Sequence, residues 1–273
     1  MRLSVDDRQD AGAGLHRSSP TGPRTAPPLQ VPPRDAPPLD ARVQPLHGIF
    51  RPSLWSVAFF VLLLSGVGIR AYRDLSQPGA WEYWRESHGS PTMTSSVIPS
   101  INIDGRKRRV LTIEGEIGAA SASWFHDRLE EAHLSDGDLV LLSSPGGLVD
   151  QAAIIGETIR ARGLFTAVGT ADASGKVRPA ICASACVLIF AGGEDRYGIR
   201  GSMLGVHRFR VPKPTDDPVA ETQRSQGLLL GYMTGMGVSS SIVEAMSQTS
   251  EIRWLTEKEA LAMNLITTVL AYR

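Results

Sequence analysis

Cysteine is almost absent from this chain of 273 residues. Its two cysteines, Cys182 and Cys186, lie four residues apart, and no further cluster of cysteine or histidine stands at the spacing of metal ligands. This scarcity argues against a zinc site. The sequence therefore predicts no metal and no cofactor.

An excess of charge of one sign is also lacking. Lysine plus arginine and aspartate plus glutamate each number 28, and the basic residues are scattered along the chain rather than gathered into a stripe. A protein that binds nucleic acid usually carries such a stripe, so no nucleic acid is predicted as a partner. With 42% hydrophobic and 21% charged residues, the composition is that of an ordinary globular domain, enzymatic or not.

The N-terminal residues lack any apolar periodicity. The first fifty residues contain nine of the chain's 18 prolines, together with scattered arginine and aspartate. Such a stretch cannot bury enough apolar surface to offset the entropy lost when it is ordered. Residues 1–52 are therefore predicted to be a disordered tail.

Long hydrophobic runs are missing, with one exception. The 16 residues 54–69 carry no charge and are bracketed by Arg51 and Arg70. About 20 apolar residues span a bilayer, so this run spans it only if flanking residues and snorkelling arginines extend it. We predict one transmembrane helix over residues 53–70. Similar numbers of arginines on its two sides leave its orientation open.

Residues 71–107 have the composition of a linker. They mix glycine, proline, serine and threonine with the aromatic residues Trp81, Tyr83 and Trp84. Aromatic residues just outside a transmembrane helix often lie at the membrane interface, and a plain linker explains them equally well. Both interpretations stay open at this point.

From residue 108 to residue 273, strand-like and helix-like segments alternate and predict one α/β domain. This order favours right-handed βαβ units around a buried, largely parallel sheet. Near the C-terminus, Thr256 and Glu259 have the spacing of a capping box, Asn264 stands where that helix would end, and residues 265–270 can form a strand. The other predicted strands are 109–117, 139–142 and 165–168, and the other predicted helices are 119–133, 148–162 and 180–190.

Three segments contain the residue types that a serine hydrolase needs. A serine attacks a carbonyl when a base takes its proton and N–H donors hold the developing oxyanion. Ser184 lies between small residues in an apolar segment, His207 ends a strand-like stretch, and the glycine-rich segment 144–147 follows an apolar strand. Taken alone, each also fits an ordinary role: a serine packed in a helix, a structural histidine and a turn.

Together these segments resemble the Clp protease proteolytic subunit family, within the crotonase-like superfamily. In that family a strand ends in Ser-Pro-Gly-Gly, a later helix opens with Ala-Ser and ends in Ala-Gly, and an arginine and a histidine follow. The resemblance covers about residues 110–270 and implies an α/β ββα spiral with a largely parallel sheet, preceded here by one transmembrane helix. The matching residues are Ser144-Pro145-Gly146-Gly147, Ala183-Ser184-Ala185, Ala191-Gly192-Gly193, Arg196 and His207.

The resemblance implies a role for each matched residue. Ser184 would be the nucleophile, His207 the general base, and the N–H groups of Gly147 and Ala185 the oxyanion donors. The predicted function is that of a membrane-anchored serine peptidase that hydrolyses peptides or segments of membrane proteins. Because related anchored proteins generally face the bacterial periplasm, the resemblance also implies a single-pass inner-membrane protein with a periplasmic catalytic domain. A homo-oligomer built through residues 218–235 stays open.

The third member of the triad departs from the family pattern. Where the family places an acid, six residues before Trp254, the chain has Gln248, with Glu251 nearby as a substitute. Loss of the orienting acid can lower the rate about 10⁴-fold, so a catalytically inactive binding or assembly module is the alternative to a peptidase. Signal peptide peptidase A, a membrane-bound relative, uses a lysine base, and Lys176 is the residue here that would take that role.

Two states of the cysteines are compatible with the sequence. Cys182 and Cys186 form a disulfide if Cys182 is not helical and the domain faces an oxidising compartment. Otherwise they are two small buried side chains.

Overall fold

The computed structural model of the chain describes residues 53–103, 105–172, 174–209 and 217–270. The tail predicted over residues 1–52 lies outside the described residues. The chain divides into two units between Ser53 and Leu54, and every helix and strand given below belongs to the second unit.

Helices and strands alternate along most of the second unit. In chain order the helices are α1 Leu54–Leu75, α2 Ala80–His88, α3 Ser121–Ala132, α4 Val149–Ala161, α5 Cys186–Ala191, α6 Pro218–Gly235, α7 Ser241–Ser247 and α8 Glu257–Ala262. The strands are β1 Met93–Ile103, β2 Arg106–Gly115, β3 Leu139–Ser143, β4 Phe165–Val168, β5 Thr170–Ala171, β6 Val177–Arg178, β7 Ile181–Ala183, β8 Arg196–Ile199, β9 Met203–Val206, β10 Arg253–Leu255 and β11 Thr268–Leu270.

Helix α1 is apolar and exposed along its whole length. Its 22 residues extend about 33 Å at a rise of 1.5 Å per residue, and none of them is buried. Among the described residues it is the one helix long and apolar enough to cross a hydrocarbon layer of about 30 Å. The helix runs past the predicted end at residue 70 to Leu75 and ends three residues before the next proline, Pro78.

The central sheet is largely parallel. Its six strands lie in the order β1-β2-β3-β4-β8-β11. Only the β1–β2 pair at one edge is antiparallel, and the other four pairs are parallel. The α/β class with a largely parallel sheet, predicted from the alternation of segments, is confirmed.

Strand β3 is buried on both faces and leads to the candidate site. Val140 and Leu142 belong to a core cluster with Phe125 of α3, and Leu139 and Leu141 belong to a second cluster on the other face with residues of β1 and β8. A strand covered on both faces is a rigid support, because a shift in either direction disrupts a packed layer. The glycine-rich segment 144–147 begins at its end.

Residues 71–107, predicted as a linker, contain α2 and β1. The buried carboxylate of Glu86 on α2 accepts a hydrogen bond of 2.9 Å from the N–H of Ala120, just before α3. Strand β1 pairs with β2, with a register shift between Ile98 and Ile101. Pro99 lies in that shift, where no ladder donor is needed, and the shift disrupts the alternation by which an edge strand is predicted. Both elements therefore contact the domain that was predicted to begin at residue 108.

The segment 180–190, predicted as one helix, is divided into a strand and a helix. Its first part, β7, pairs in parallel with β9, with Ala183 opposite Gly205, and α5 begins only at Cys186. Ser184 lies between them with φ of 56°, a value that a right-handed helix cannot contain. The apolar composition correctly indicates burial but does not reveal the turn.

Arg196 attaches the C-terminal segment to the central sheet. Its guanidinium group, in a residue only 2% exposed, donates hydrogen bonds of 2.8–3.0 Å to the carbonyl oxygens of Gly193, Asn264 and Leu265. Burial lowers the pKa of Arg196 to about 10, and the nearby Arg160 acts in the same direction. The group therefore stays protonated at neutral pH and keeps its donors.

We expect Arg196→Lys to lower the free energy of unfolding by about 3 kcal/mol, because an ammonium group cannot replace the planar fork and leaves buried carbonyls unpaired. Urea denaturation of the purified chain measures this change. Arg200→Lys, at an exposed position on the same segment, is the matched control and should change stability by less than about 0.5 kcal/mol. Equal midpoints for the two variants would contradict the role given to Arg196.

Candidate active site

Ser184 lies at the turn between β7 and α5. Its φ of 56° is in the left-handed region, which few residues other than glycine adopt. The N–H of Ser184 donates to the carbonyl of Gly205 at 2.9 Å, and its carbonyl accepts from the N–H of Val187 at 3.1 Å. The surroundings thus hold the serine in a conformation that its own backbone disfavours. Such conformations are concentrated at functional sites.

Strand β9 brings His207 to the serine. Because β9 and β7 run parallel with Ala183 opposite Gly205, the residues that follow the two strands lie at the same edge of the three-stranded sheet β10-β9-β7. Ser184 follows β7 and His207 follows β9. The Oγ atom of Ser184 lies 2.8 Å from Nε2 of His207, so the structure brings these two predicted residues into a hydrogen bond.

The other ring nitrogen of His207 faces a main-chain carbonyl. Its Nδ1 lies 2.6 Å from the carbonyl oxygen of Arg208. A carbonyl oxygen only accepts hydrogen bonds, so Nδ1 carries the proton and donates it to Arg208. In the neutral imidazole with this tautomer, Nε2 carries no proton and accepts the hydroxyl proton of Ser184. This is the tautomer that a general base requires.

The Arg208 carbonyl is the site group that sequence reasoning missed. Every residue has a carbonyl, so no pattern of side chains indicates one. Here the N–H of Arg208 donates to the carbonyl of Thr249 at 2.8 Å, which fixes the backbone of Arg208 beside the imidazole. The sequence offered one indication, because His207 ends a predicted strand. Main-chain N–H and C=O groups at the end of a strand no longer pair with the neighbouring strand and can form hydrogen bonds with other groups.

The predicted alternatives for the third member lie elsewhere. The Oε1 atom of Gln248 accepts a hydrogen bond of 2.9 Å from Nη1 of Arg253, and Arg253 also forms an ion pair of 2.6 Å with Glu259. Glu251 is exposed, and its N–H donates to the side chain of Thr249. Lys176, the alternative base, is exposed between β5 and β6, where its N–H donates to Asp172. Among the described residues, none of these three forms a hydrogen bond or an ion pair with His207 or Ser184.

The glycine-rich segment lies directly against Ser184. The N–H of Ser144 donates to Ile181 at 2.9 Å, and the carbonyl of Ser144 accepts from Ala183 at 3.0 Å, so the segment is attached to β7. A Cβ atom on Gly146, whose φ is 109°, would lie 2.6 Å from Cβ of Ser184. Only glycine permits both this backbone conformation and this close approach.

Two backbone N–H groups beside the serine have no acceptor. Within the described residues, the N–H groups of Gly147 and Ala185 donate to no protein atom. Gly147 is held between two hydrogen bonds of 2.8 Å, from Ile117 to Gly146 and from Leu148 to Ile117. An oxyanion hole requires two such fixed donors that point at one position. The site thus contains a serine hydrogen-bonded to a histidine and two backbone N–H groups without a protein acceptor among the described residues.

A disulfide encloses the serine. Cys182 and Cys186 are bonded, with Cα atoms 5.3 Å apart and both side chains fully buried. Cys182 lies on β7 rather than in a helix, which is the condition that the spacing imposes. In the part of the chain that the structure describes, no three side chains of His, Cys, Asp or Glu come close enough to hold a metal ion.

Comparison with known proteins finds similarity to solved structures only. No protein-family model matches the chain, and no curated protein matches it. Among solved structures, it is similar to a ClpP1 mutant from Listeria monocytogenes, with a TM-score of 0.47 and 18% sequence identity over 60% of this chain and 92% of that chain. At this identity and TM-score, the similarity assigns no role to Ser184 or His207.

If the Arg208 carbonyl orients His207, Gln248→Ala should change kcat/KM by less than about threefold, because the amide is already bound to Arg253. An orienting Gln248 would instead make its loss costly, by up to about 10⁴-fold. Rates of peptide hydrolysis, or of labelling by a fluorophosphonate, measure the difference. Glu251→Gln serves as a second test and should also change kcat/KM by less than about threefold. A loss above about 100-fold in a folded Gln248→Ala variant would contradict the assignment to Arg208.

Proposed function

We propose that this chain is a membrane-anchored serine peptidase in which Ser184 is the nucleophile and His207 the general base. The observation that carries the proposal is the hydrogen bond of 2.8 Å between Oγ and Nε2, in the tautomer fixed by the Arg208 carbonyl. The two N–H groups without an acceptor, on Gly147 and Ala185, support it.

The proposed reaction has two stages. In the first, Oγ of Ser184 attacks the peptide carbonyl while Nε2 of His207 takes the hydroxyl proton, and the N–H groups of Gly147 and Ala185 hold the oxyanion. The imidazolium then gives its proton to the leaving amine, and an acyl-serine ester remains. In the second, His207 deprotonates a water molecule that hydrolyses the ester, which releases the acid and restores the serine.

A main-chain carbonyl in the place of the acid should lower the rate of catalysis less than an amide side chain does. In a Ser-His-Asp triad, replacing the acid by an amide lowers the rate about 10⁴-fold chiefly because the histidine takes the wrong tautomer. The Arg208 carbonyl can only accept, so it enforces the correct tautomer. What it lacks is the full negative charge that stabilises the imidazolium. We therefore propose an active enzyme with a slower proton transfer than a triad with a carboxylate.

The substrate that the site favours is a peptide with an apolar side chain near the scissile bond. A cavity of about 270 Å³ is lined in part by Arg208 and Phe209, the two residues that follow His207 in the chain. Leu229, Val243 and Met246 supply apolar lining, and Thr222, Gln226 and Ser247 supply polar lining. The apolar part of such a cavity accepts an aliphatic or aromatic side chain.

Helix α2 and the disulfide support a position at the inner membrane with the domain on the periplasmic side. Helix α2 follows four residues after α1 and exposes Trp81, Tyr83 and Trp84, residue types that are frequent at membrane interfaces. The Cys182–Cys186 disulfide favours the oxidising periplasm over the cytoplasm. Segments of membrane proteins close to the bilayer are then the nearest substrates.

Hydrolysis of quenched fluorescent peptides by the full-length chain in lipid nanodiscs tests this function. We expect cleavage beside apolar residues by the wild type and none above background by Ser184→Ala. Ser135→Ala, at an exposed turn before β3, is the matched control and should cleave normally. A folded wild type that cleaves nothing would favour the alternative, a binding or assembly module. That alternative also suits a site in which no carboxylate of the described residues forms a hydrogen bond with His207.

A further inference from the structure

The disulfide brackets the candidate nucleophile symmetrically. Cys182 lies two residues before Ser184, at the end of β7, and Cys186 lies two residues after it, at the start of α5. The bond therefore closes a ring of five residues whose central member is the serine. As the chain contains no other cysteine, this pair cannot be exchanged for another within it.

Closing this ring excludes the helix that the local sequence favours. The apolar residues 180–190 predict a continuous helix, in which Cβ atoms four residues apart lie about 5–6 Å from each other. A disulfide requires its two Cβ atoms to be about 3.8 Å apart. The bond is thus compatible with a turn at Ser184 and not with a regular helix through it. The φ of 56° at Ser184 is the turn that results.

The effect of the bond is local rather than global. The stabilisation that a disulfide gives through the entropy of the unfolded chain grows with the length of the loop that it closes, and a five-residue loop is close to the lower limit. Overall stability is therefore not its main contribution. What the bond restricts most is the backbone conformation of Ala183, Ser184 and Ala185, which includes one oxyanion N–H.

We propose that the Cys182–Cys186 disulfide positions Ser184 for attack, so that the peptidase is active when the bond is closed and inactive when it is open. The inference rests on the proposed function of Ser184. It makes the two cysteines positioning residues, which act on the reaction through the serine and do not touch the substrate.

Formation of the bond links activity to the compartment in which the chain folds. The two thiols lose two protons and two electrons as the S–S bond forms, and the disulfide of a thiol–disulfide exchange protein accepts them and becomes a dithiol. Both cysteines are fully buried in the folded chain, so this exchange has to precede packing of the segment. A chain that folds in a reducing compartment would then be inactive, and one that folds in an oxidising compartment would be active.

The test compares the closed and open states of the full-length protein in nanodiscs. The rate constant for labelling by a fluorophosphonate is measured for the oxidised wild type, for the wild type reduced with a phosphine, and for Cys182→Ala/Cys186→Ala. Alkylation and mass spectrometry count the free thiols and show how far reduction has gone. The double variant keeps the test independent of the access of the phosphine to a buried bond.

We expect labelling to be about 100-fold slower in the reduced wild type and in the double variant, as for a reacting atom misplaced by about 1 Å. Unfolding of the reduced wild type and refolding with oxidised glutathione should restore its labelling, and the same treatment should leave the double variant unchanged. The phosphine should have no effect on the double variant, which has no cysteine. In peptide hydrolysis, kcat should fall while KM stays nearly constant, because the bond positions the nucleophile and does not bind substrate.

A purely structural disulfide gives a different result. It would lower the melting temperature and leave the labelling rate constant per folded chain unchanged, and that outcome overturns the inference alone. Circular dichroism at the assay temperature defines the folded fraction. If the oxidised wild type is not labelled at all, the proposed function falls and this inference falls with it.

Discussion

Replacement of Ser184 by alanine is expected to lower kcat/KM for peptide hydrolysis by about 10⁴-fold or more, and His207→Ala should cause a loss of the same order. The reason is that Oγ and Nε2, joined by the hydrogen bond of 2.8 Å, act as one unit in which neither group attacks without the other. The double variant should therefore be no worse than either single variant. Steady-state kinetics on one quenched peptide gives all three values.

The controls for this result are structural. Circular dichroism spectra of the three variants should match the wild type, because the two polar side chains lie at the end of a sheet and not in its core. His126→Ala, at an exposed position on α3, is the matched control for the loss of an imidazole and should keep the wild-type rate. Losses that add in the double variant would show two independent roles and contradict a nucleophile–base pair.

The second large effect is expected for Gly146→Ala. The new Cβ atom would lie 2.6 Å from Cβ of Ser184 and 2.8 Å from the carbonyl oxygen of Ala183, at a φ of 109° that alanine disfavours. Either Ser184 or the glycine-rich segment 144–147 has to move, and a displacement of about 1 Å at a reacting atom can lower the rate about 100-fold. We expect a fall in kcat of at least that size, measured on the same peptide.

Gly175→Ala separates backbone strain from displacement of the site. Gly175 also has a positive φ, of 79°, but the atom nearest to an added Cβ is 3.5 Å away on Ile98, which is an ordinary contact. This variant should lose some stability and keep its activity. If Gly146→Ala cleaves as fast as Gly175→Ala, the segment 144–147 does not line the reacting atoms.

The central sheet and its helices follow from simple sequence patterns. Residues 139–142 are all apolar and form the core of β3, because a strand buried on both faces has no reason to alternate. The capping box of Thr256 and Glu259 starts α8, and Asn264, predicted to stand at the end of that helix, has the left-handed φ of 52° that is common there. In these places the local preference and the tertiary structure agree, so the sequence predicts them well.

Other features depend on contacts that local patterns do not contain. The turn at Ser184 overrides a helical preference through pairing with β9 and the disulfide. The docking of α2 depends on the carboxylate of Glu86, which finds its partner 34 residues along the chain. The carbonyl of Arg208 is a main-chain group fixed by a distant residue, Thr249. Each of these is a long-range interaction at or near the site, where local rules most often fail.

The most direct test of the central claim is to identify the residue that a fluorophosphonate modifies. Trypsin does not cut between Arg178 and Pro179, so residues 177–196 form one peptide, and Ser184 is its only serine. Mass spectrometry of the labelled full-length chain should find the adduct on this peptide in the wild type, much less of it in His207→Ala, and none in Ser184→Ala. An adduct on another peptide that persists in Ser184→Ala, or a folded wild type without any adduct, would contradict Ser184 as the nucleophile.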